Sequence, residues 1–233
     1  MPSIVEIRNN LQRRAIILEP AIREKGFVDP SWSWFGKVDL CLPGETWPMH
    51  HDEPLSPLMQ INLTKFPFRP PHLSDVELIA VFINEVDLPA SDEANGNGWC
   101  LRAYPSLSKL VPLVEPDSLE SDIKAFPLKP AIIEVDFPCH EDVDIDLPEE
   151  LDDNYADHFK TVEGHKLGGW PFLIQSEIYW APWNKHPAKP EYVFQIDSCE
   201  KGLWQWGDSG VGYFGRGTEP GHENVWTLSW QCF

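Results

Sequence analysis

Two short segments contain side chains of the kinds that bind metal ions. They are His50-His51-Asp52-Glu53 and His140-Glu141-Asp142. Neither has two histidines four residues apart, as on a zinc-protease helix, and the sequence contains no CxxC pair for a structural zinc site. We therefore interpret both segments as solvated loops and predict neither a metal site nor a cofactor.

A third segment, Asp142-Val143-Asp144-Ile145-Asp146, begins like a calcium-binding loop. An EF-hand loop needs glycine at its sixth position and glutamate at its twelfth, where this sequence has Leu147 and Asp153. The alternation of aspartate with apolar residues instead predicts a strand or extended segment with one acidic face, and adventitious calcium binding is the lesser alternative.

The segment Gly207-Asp208-Ser209-Gly210 has the residue order found around the nucleophile of trypsin-like proteases. Such an enzyme also needs a glycine after this segment and a histidine base in an apolar setting earlier in the chain. Val211 follows here, and neither His50 nor His51 has such neighbours. The glycine motifs that bind nucleotide phosphates are also missing from the sequence. We therefore predict no catalytic residues and a protein that is not an enzyme.

Polar residues occur at matching places in two apolar, strand-like segments. They are Gln60 and Asn62 in the first half, and Gln195 and Asp197 in the second. We interpret them as hydrogen-bond partners of buried backbone groups. The alternative is a ligand pocket between the two halves, and its candidate residues are Gln195, Asp197, Trp206 and Asp208. Core packing explains most of the eleven tryptophans, with a stacking surface for a sugar or peptide as the alternative.

The chain is strongly acidic, with a formal net charge of -19 and a pI near 4.6. Contacts with nucleic acid or an anionic membrane need clustered lysines and arginines, so neither is an expected partner. Segment 134–157 contains eleven acidic residues and no lysine or arginine. Such a segment is usually only solvated, but here it adds to an excess of acid along the whole chain. We predict that it contacts a basic partner protein through Glu141, Asp142, Asp144, Asp146, Glu149, Glu150, Asp152 and Asp153.

The sequence predicts a cytoplasmic location. The N-terminus lacks the basic and apolar regions of a signal peptide, and no apolar stretch reaches the roughly 18 residues of a membrane span. The five cysteines are odd in number and widely spread, which predicts reduced and mostly buried thiols.

Hydrophobic patterns predict many short strands and few helices. A capping box at Ser3-Ile4-Val5-Glu6 predicts a first helix that ends near Gln12. Apolar residues at helical spacing within 147–162, with acids in the first turn, predict a longer helix there. The predicted strands are 15–18, 33–37, 42–48, 57–63, 76–83, 99–104, 131–137, 192–197 and 211–214.

Two parts of the chain share one order of motifs. The first contains Phe35-Gly36, Trp47-Pro48, Gln60-Ile61-Asn62 and Leu78-Ile79-Ala80-Val81-Phe82. The second contains Leu167-Gly168, Trp170-Pro171, Gln195-Ile196-Asp197 and Val211-Gly212-Tyr213-Phe214. This predicts an internal duplication, with similar β-rich halves at about 27–104 and 160–233. Both halves would share one core within a single domain over 1–233.

Several of these motifs, taken in order, resemble the YwqG-like family of domains of unknown function. They are His165-Lys166-Leu167-Gly168-Gly169-Trp170-Pro171 with Gln175, Gln195-Ile196-Asp197-Ser198, Trp206-Gly207-Asp208-Ser209-Gly210, Tyr213-Phe214 and Trp230-Gln231-Cys232. The resemblance covers most of the chain and is closest after about Leu147. In the first half, Gly36-Lys37 replaces the usual double glycine. The resemblance implies an α+β, mainly β, duplicated fold with a few helices, and it brings no activity or catalytic residue.

These observations predict a cytoplasmic interaction protein without chemistry of its own. The most concrete version is an immunity or antitoxin-type inhibitor, whose acidic surface blocks a basic partner such as a nuclease toxin. The alternative is a small-ligand-binding protein or an unrecognised enzyme with a pocket between the two halves. A well-lined pocket there would favour the alternative, and a flat acidic surface would favour the inhibitor.

Overall fold

The computed structural model describes residues 3–22 and 29–233, and the fold is mainly β, as predicted. The described strands are β1 (Arg13–Pro20), β2 (Ser33–Phe35), β3 (Leu40–Cys41), β4 (Met49–His50), β5 (Glu53–Pro54), β6 (Ser56–Asn62), β7 (Leu78–Ile83), β8 (Trp99–Tyr104), β9 (Val111–Pro112), β10 (Phe126–Asp136), β11 (Lys166–Gly168), β12 (Pro190–Asp197), β13 (Val211–Gly217) and β14 (Trp226–Gln231). The α-helices are α1 (Ile4–Leu11), α2 (Glu149–Asp153) and α3 (Tyr155–His158). Single 3-10 turns lie at Leu63–Lys65, Leu107–Lys109, His140–Asp142 and Glu200–Gly202.

Ten strands form one antiparallel sheet in the order β14-β13-β12-β11-β1-β10-β2-β6-β7-β8. The long strands β1 and β10 pair at its centre. Reading outward from β10, the chain forms β2, β6, β7 and β8, and reading outward from β1, it forms β11, β12, β13 and β14. Each side of the sheet is therefore a meander of four strands. The start of the first predicted half, at about residue 27, lies outside the described residues.

Both sides of the sheet contribute to one hydrophobic core. Buried residues of β7 and β8 belong to the same cluster as buried residues of β12 and β13. Trp99 in the edge strand β8 packs edge-on against Phe214 in β13, with ring centroids 6.2 Å apart. The indole of Trp230 in β14 donates to the carbonyl of Pro89, which precedes β8, at 2.9 Å. The sheet is therefore strongly curved, and its two ends approach each other.

The first helix forms as predicted. The Ser3 side chain accepts from the backbone of Glu6, and the Glu6 side chain accepts from the backbone of Ser3, which completes the capping box.

The single helix predicted over 147–162 is wrong. Helices α2 and α3 are short and separate at Asn154, whose φ of -121° and ψ of 32° are not helical. Neither helix has a side-chain N-cap, and Phe159 is already extended. The apolar spacing nevertheless has a structural cause, because Leu151, Tyr155 and Phe159 pack against α1. Tertiary packing uses the pattern without a continuous helix.

Three smaller expectations need correction. Segment 42–48 is a turn and not a strand, because the Glu45 carboxylate accepts from the Leu42 backbone at 2.8 Å and holds the chain bent. Segment 142–146 contains no strand, because Asp142 ends the 3-10 turn His140–Asp142 and residues 143–146 are irregular. Strand β10 is longer than predicted and includes two prolines.

All five cysteines are free, but only Cys41 and Cys100 are buried. The expectation of mostly buried thiols is therefore wrong for the other three. Among the described helices, none is long and apolar enough to cross a membrane.

Candidate functional site

A cleft of about 920 Å³ opens beside β1, β11 and β12, and we call it the β1 cleft. Its walls come from both sides of the sheet. The segment that follows β6 contributes Phe68, Arg69, Pro71 and His72, and the second half contributes residues 168–171 and 190–192 together with Glu177, Ile178, Trp180 and Asn184. The central strand β1 adds Arg13 and Arg14. The cleft therefore lies where the first half meets the second.

A buried ion pair lies behind the wall of the cleft. The Lys166 ammonium is 2.9 Å from Oδ2 of Asp136, and both side chains are fully buried. Asp136 also accepts from the backbone N–H groups of Val162 at 2.7 Å and Trp170 at 2.8 Å, and Lys166 donates to the Val162 carbonyl at 2.6 Å. Burial lowers the pKa of Lys166, and the Asp136 carboxylate opposes that shift. The pair is hydrogen-bonded on both sides, which is what a buried ion pair requires.

The double glycine after Lys166 brings the chain close to this pair. Gly168 and Gly169 both have a φ of 66°, which favours glycine. A Cβ at Gly169 would lie 2.3 Å from Oδ2 of Asp136, so only glycine fits there. The turn places Trp170 in the cleft wall.

Trp170 is fixed on its edge and its face. Its indole N–H donates to the carbonyl of Leu11 at 2.6 Å. The guanidinium of Arg13 stacks on its ring, with Cζ 3.3 Å from the ring centroid. Phe68, Trp180 and Tyr192 add further aromatic surface to the cleft.

Charged residues of both signs line the β1 cleft. The basic ones are Arg13, Arg14, Arg69 and His72, and the acidic ones are Asp142, Glu177 and Glu191. Arg14 pairs with Glu134 at 2.9 Å, and Glu191 pairs with His72 at 3.0 Å. Burial raises the pKa of Asp142 to about 6, an effect that Arg13 opposes and that the nearby Glu141 and Glu177 reinforce.

The predicted partner-binding acids lie along one stretch, in the 3-10 turn, the following irregular segment and α2. Seven of the eight are exposed, namely Glu141, Asp144, Asp146, Glu149, Glu150, Asp152 and Asp153. Asp142 is half-buried and is the member that lines the cleft. Within residues 3–22 and 29–233, no group of three or more His, Cys, Asp or Glu side chains could hold a metal ion.

The predicted pocket residues lie apart from the β1 cleft. Gln60, Asn62 and Gln195 are buried, and each bonds backbone groups, as our first interpretation expected. Asp197 accepts from the backbone of Gly164 at 3.0 Å. Trp206 is fully buried beside Trp204, and Asp208 is exposed in the turn before β13. None of these side chains lines the β1 cleft.

Of the predicted site residues, all of which the structure describes, only Asp142 lines the cleft, and sequence reasoning assigned the other lining residues to no site. Three of the seven arginines in this acidic chain are Arg13, Arg14 and Arg69, and all three face one cleft. The adjacent Arg13-Arg14 pair at the start of an apolar strand was a visible signal. Their meeting with Arg69 depends on the sheet order, which the sequence does not reveal.

A family model described as "Domain of unknown function (DUF1963)" matches residues 33–215. The chain belongs to this family. The DUF1963 match begins in β2 and ends in β13, so it includes Asp136, Lys166 and the double glycine. Strand β1 precedes the DUF1963 match, although it pairs with both β10 and β11 at the centre of the sheet. No curated protein matched the chain.

Proposed function

We propose that this protein binds a small molecule in the β1 cleft. The observation that carries the proposal is the cleft itself: about 920 Å³, walled by aromatic side chains and by several charged groups. Small-molecule sites have this size and this mixture of apolar walls with a few polar groups. The proposal develops the alternative reading of the sequence, with a different set of residues from those predicted.

A fragment and metabolite screen by ligand-observed NMR tests this function. We expect hits whose binding is lost in Glu191→Trp, because Glu191 is exposed on β12 and a large side chain there fills the mouth of the cleft. The matched control is Glu19→Trp, an exposed glutamate of β1 outside the cleft. Hits that bind both variants equally, or a screen without hits, would exclude a ligand site in the cleft.

The second candidate function is inhibition of a basic partner, as an immunity or antitoxin-type protein does for a nuclease toxin. The supporting observation is that seven of the eight predicted contact acids are exposed along one lysine- and arginine-free stretch. Such a surface attracts a basic protein at long range and speeds association at low salt. This second candidate function involves no enzymatic activity.

Pull-down from the native host, followed by mass spectrometry, tests the second function. We expect one basic protein to be captured, and the triple change of Asp144, Asp146 and Glu149 to lysine to release it. Changing the exposed acids Glu115, Asp117 and Glu120 to lysine alters the net charge by the same amount elsewhere. If both triple variants weaken capture equally, overall charge and not this surface is responsible.

We further propose that the protein is a YwqG-like, cytoplasmic member of its family, and that its two halves arose by duplication. Gly36 directly follows β2, with a φ of 65°, and Gly168 is the last residue of β11, with a φ of 66°. Gln60 lies opposite β2 and Gln195 opposite β11, and each bonds the loop that follows its glycine. A second DUF1963 structure with the same matched bonds would support this origin.

A further inference from the structure

Two arginines of the β1 cleft lack the hydrogen bonds that the other arginines make. The guanidinium of Arg13 stacks on Trp170 and makes no hydrogen bond within the described residues. Nη1 of Arg69 is buried and has no hydrogen-bond partner among the described residues. The remaining described arginines, Arg8, Arg14, Arg102 and Arg216, each make at least one side-chain hydrogen bond, although Nη1 of Arg102 is also buried with no hydrogen-bond partner within residues 3–22 and 29–233.

Both arginines line the β1 cleft, so a ligand there would meet their guanidinium groups. Stacking on the indole fixes the plane of the Arg13 guanidinium and leaves its N–H groups free at the edge. A buried N–H without an acceptor is costly, and the cost disappears when an acceptor is supplied. Arginine pairs best with planar or multi-oxygen anions, which accept two parallel hydrogen bonds.

We propose that the ligand of the β1 cleft is a small molecule with an oxyanion, a carboxylate or a phosphate, attached to a flat apolar group. Arg13 and Arg69 bind the oxyanion. The apolar group packs against the aromatic wall formed by Phe68, Trp180 and Tyr192. This inference rests on the ligand-binding function proposed above and names its ligand class.

The acids of the cleft provide a further test, because removing an acidic charge should change the affinities for anionic and cationic ligands in opposite directions. Glu191 is already paired with His72 at 3.0 Å, and Glu177 accepts from Asn184 at 3.4 Å. The Asp142 side chain accepts no hydrogen bond within the described residues, and the positive charge of Arg13 opposes the rise in the pKa of Asp142 that burial causes. Asp142 therefore competes with an oxyanion for Arg13. Asp142→Asn should strengthen the binding of an anion and weaken the binding of a cation.

The test uses five probes at neutral pH: phenylacetate, phenyl phosphate, inorganic phosphate, the neutral 2-phenylacetamide and the cationic phenethylamine. Isothermal titration calorimetry measures the affinity of each probe. We expect phenylacetate or phenyl phosphate to bind more tightly than the amide and the amine. The preferred anion of the two identifies the source of the oxyanion, and inorganic phosphate shows whether the apolar group contributes.

Variants connect binding to the two arginines. Arg13→Gln and Arg69→Gln should each weaken the preferred anion by about tenfold, the effect of losing a charge-assisted hydrogen bond. Asp142→Asn should tighten it. Lys129→Gln is the matched control, since it removes the same charge from an exposed side chain of β10 outside the cleft. Far-UV circular dichroism melting confirms that each variant is folded.

Two outcomes overturn the inference. If the amide or the amine binds in the cleft and no anion does, the ligand class is wrong while the ligand-binding function stands. If no probe binds, or if the anion binds equally to Arg13→Gln, Arg69→Gln and Lys129→Gln, the oxyanion site is also wrong. The fragment screen with Glu191→Trp then decides the broader function separately.

Discussion

The two sides of the sheet repeat the same hydrogen bonds next to their central strands. In the first half, the Gln60 side chain accepts from the backbone of Asp39 at 2.9 Å and donates to the carbonyl of Trp32 at 2.7 Å. In the second half, Gln195 accepts from the backbone of Phe172 at 2.9 Å and donates to the carbonyl of Gly164 at 3.0 Å. A buried glutamine therefore fastens the chain before and after the inner strand on each side.

A second pair of bonds follows two residues later. Oγ of Ser33 accepts from the backbone of Asn62 at 2.9 Å, and Nδ1 of His165 accepts from the backbone of Asp197 at 3.1 Å. Asn62 and Asp197 occupy matching places, two residues after the glutamines. The same backbone group is thus satisfied by serine on one side and by histidine on the other.

The two sides differ at the residue that pairs with the buried glutamine. Opposite Gln60 lies Trp34, which is buried, whereas opposite Gln195 lies Lys166, which pairs with Asp136. A Cβ at Gly36 would lie 2.8 Å from the backbone oxygen of Lys124, whereas Gly168 lines the β1 cleft. The matched backbone bonds therefore hold both inner strands in the same way, whereas the side chains that differ determine the surroundings of each strand.

Breaking the buried ion pair that Lys166 of the second half forms should cause the largest loss of stability. Lys166→Met leaves the Asp136 carboxylate buried without its cation, and we expect it to lower the free energy of unfolding by about 3–5 kcal/mol. Urea denaturation followed by tryptophan fluorescence measures this loss. The double variant Lys166→Met/Asp136→Leu should regain part of the lost free energy of unfolding, because no buried charge remains unpaired in it.

Lys37→Met is the control from the first half. Lys37 follows Gly36 and pairs with Asp39 at 2.7 Å, but its side chain is 36% exposed. Its loss should cost less than about 1 kcal/mol, as for other exposed ion pairs. Equal losses in Lys37→Met and Lys166→Met would show that the second half has no special dependence on its buried charges.

Replacing the glutamines should have a smaller and balanced effect. Gln60→Leu and Gln195→Leu keep much of the side-chain volume but leave buried backbone groups without partners. We expect each to lower the free energy of unfolding by up to about 3 kcal/mol. Thermal unfolding by circular dichroism measures both losses, which should be similar.

Ligand affinity separates the two glutamine variants. Gln195 also lies 3.2 Å from the hydroxyl of Tyr192, a residue of the cleft wall, whereas Gln60 has no contact with the cleft. Gln195→Leu should therefore weaken ligand binding more than Gln60→Leu. The reverse order would contradict the support that Gln195 gives to Tyr192 in the cleft wall.

Local patterns in the sequence predict much of this fold. Alternation and apolar runs identify β6, β7, β8, β12 and β13, and the capping box identifies α1. The matched positions of Gln60 and Gln195, and their backbone bonds, were also readable, because polar residues within buried strands need partners.

The candidate site was not readable in the same way. Arg13, Arg69 and Trp180 are far apart in the chain and meet only because β1 lies between β10 and β11. Asp136 looked like one more member of the acidic segment, yet it is buried and paired with Lys166. Long-range pairing and burial decide these roles, and neither is encoded in local periodicity.

The smallest expected effect is a pH dependence of stability that His165 of the second half causes and Ser33 of the first half does not. Burial lowers the pKa of His165 to about 4, below the ordinary value of 6.5 that applies to the unfolded chain. Between these values the unfolded state binds a proton that the native state does not, so stability is full above pH 6.5 and falls as the pH drops towards 4. From pH 6.5 to pH 5 the loss should be about 2 kcal/mol.

His165→Ser, which copies Ser33, should flatten this dependence, whereas Ser33→Ala should leave it unchanged. Urea denaturation at both pH values checks this, and since the raised pKa of Asp142 acts oppositely in all three proteins, it cancels in the differences. A slope that is equal in wild type and His165→Ser would contradict the assignment of the pH dependence to the second half.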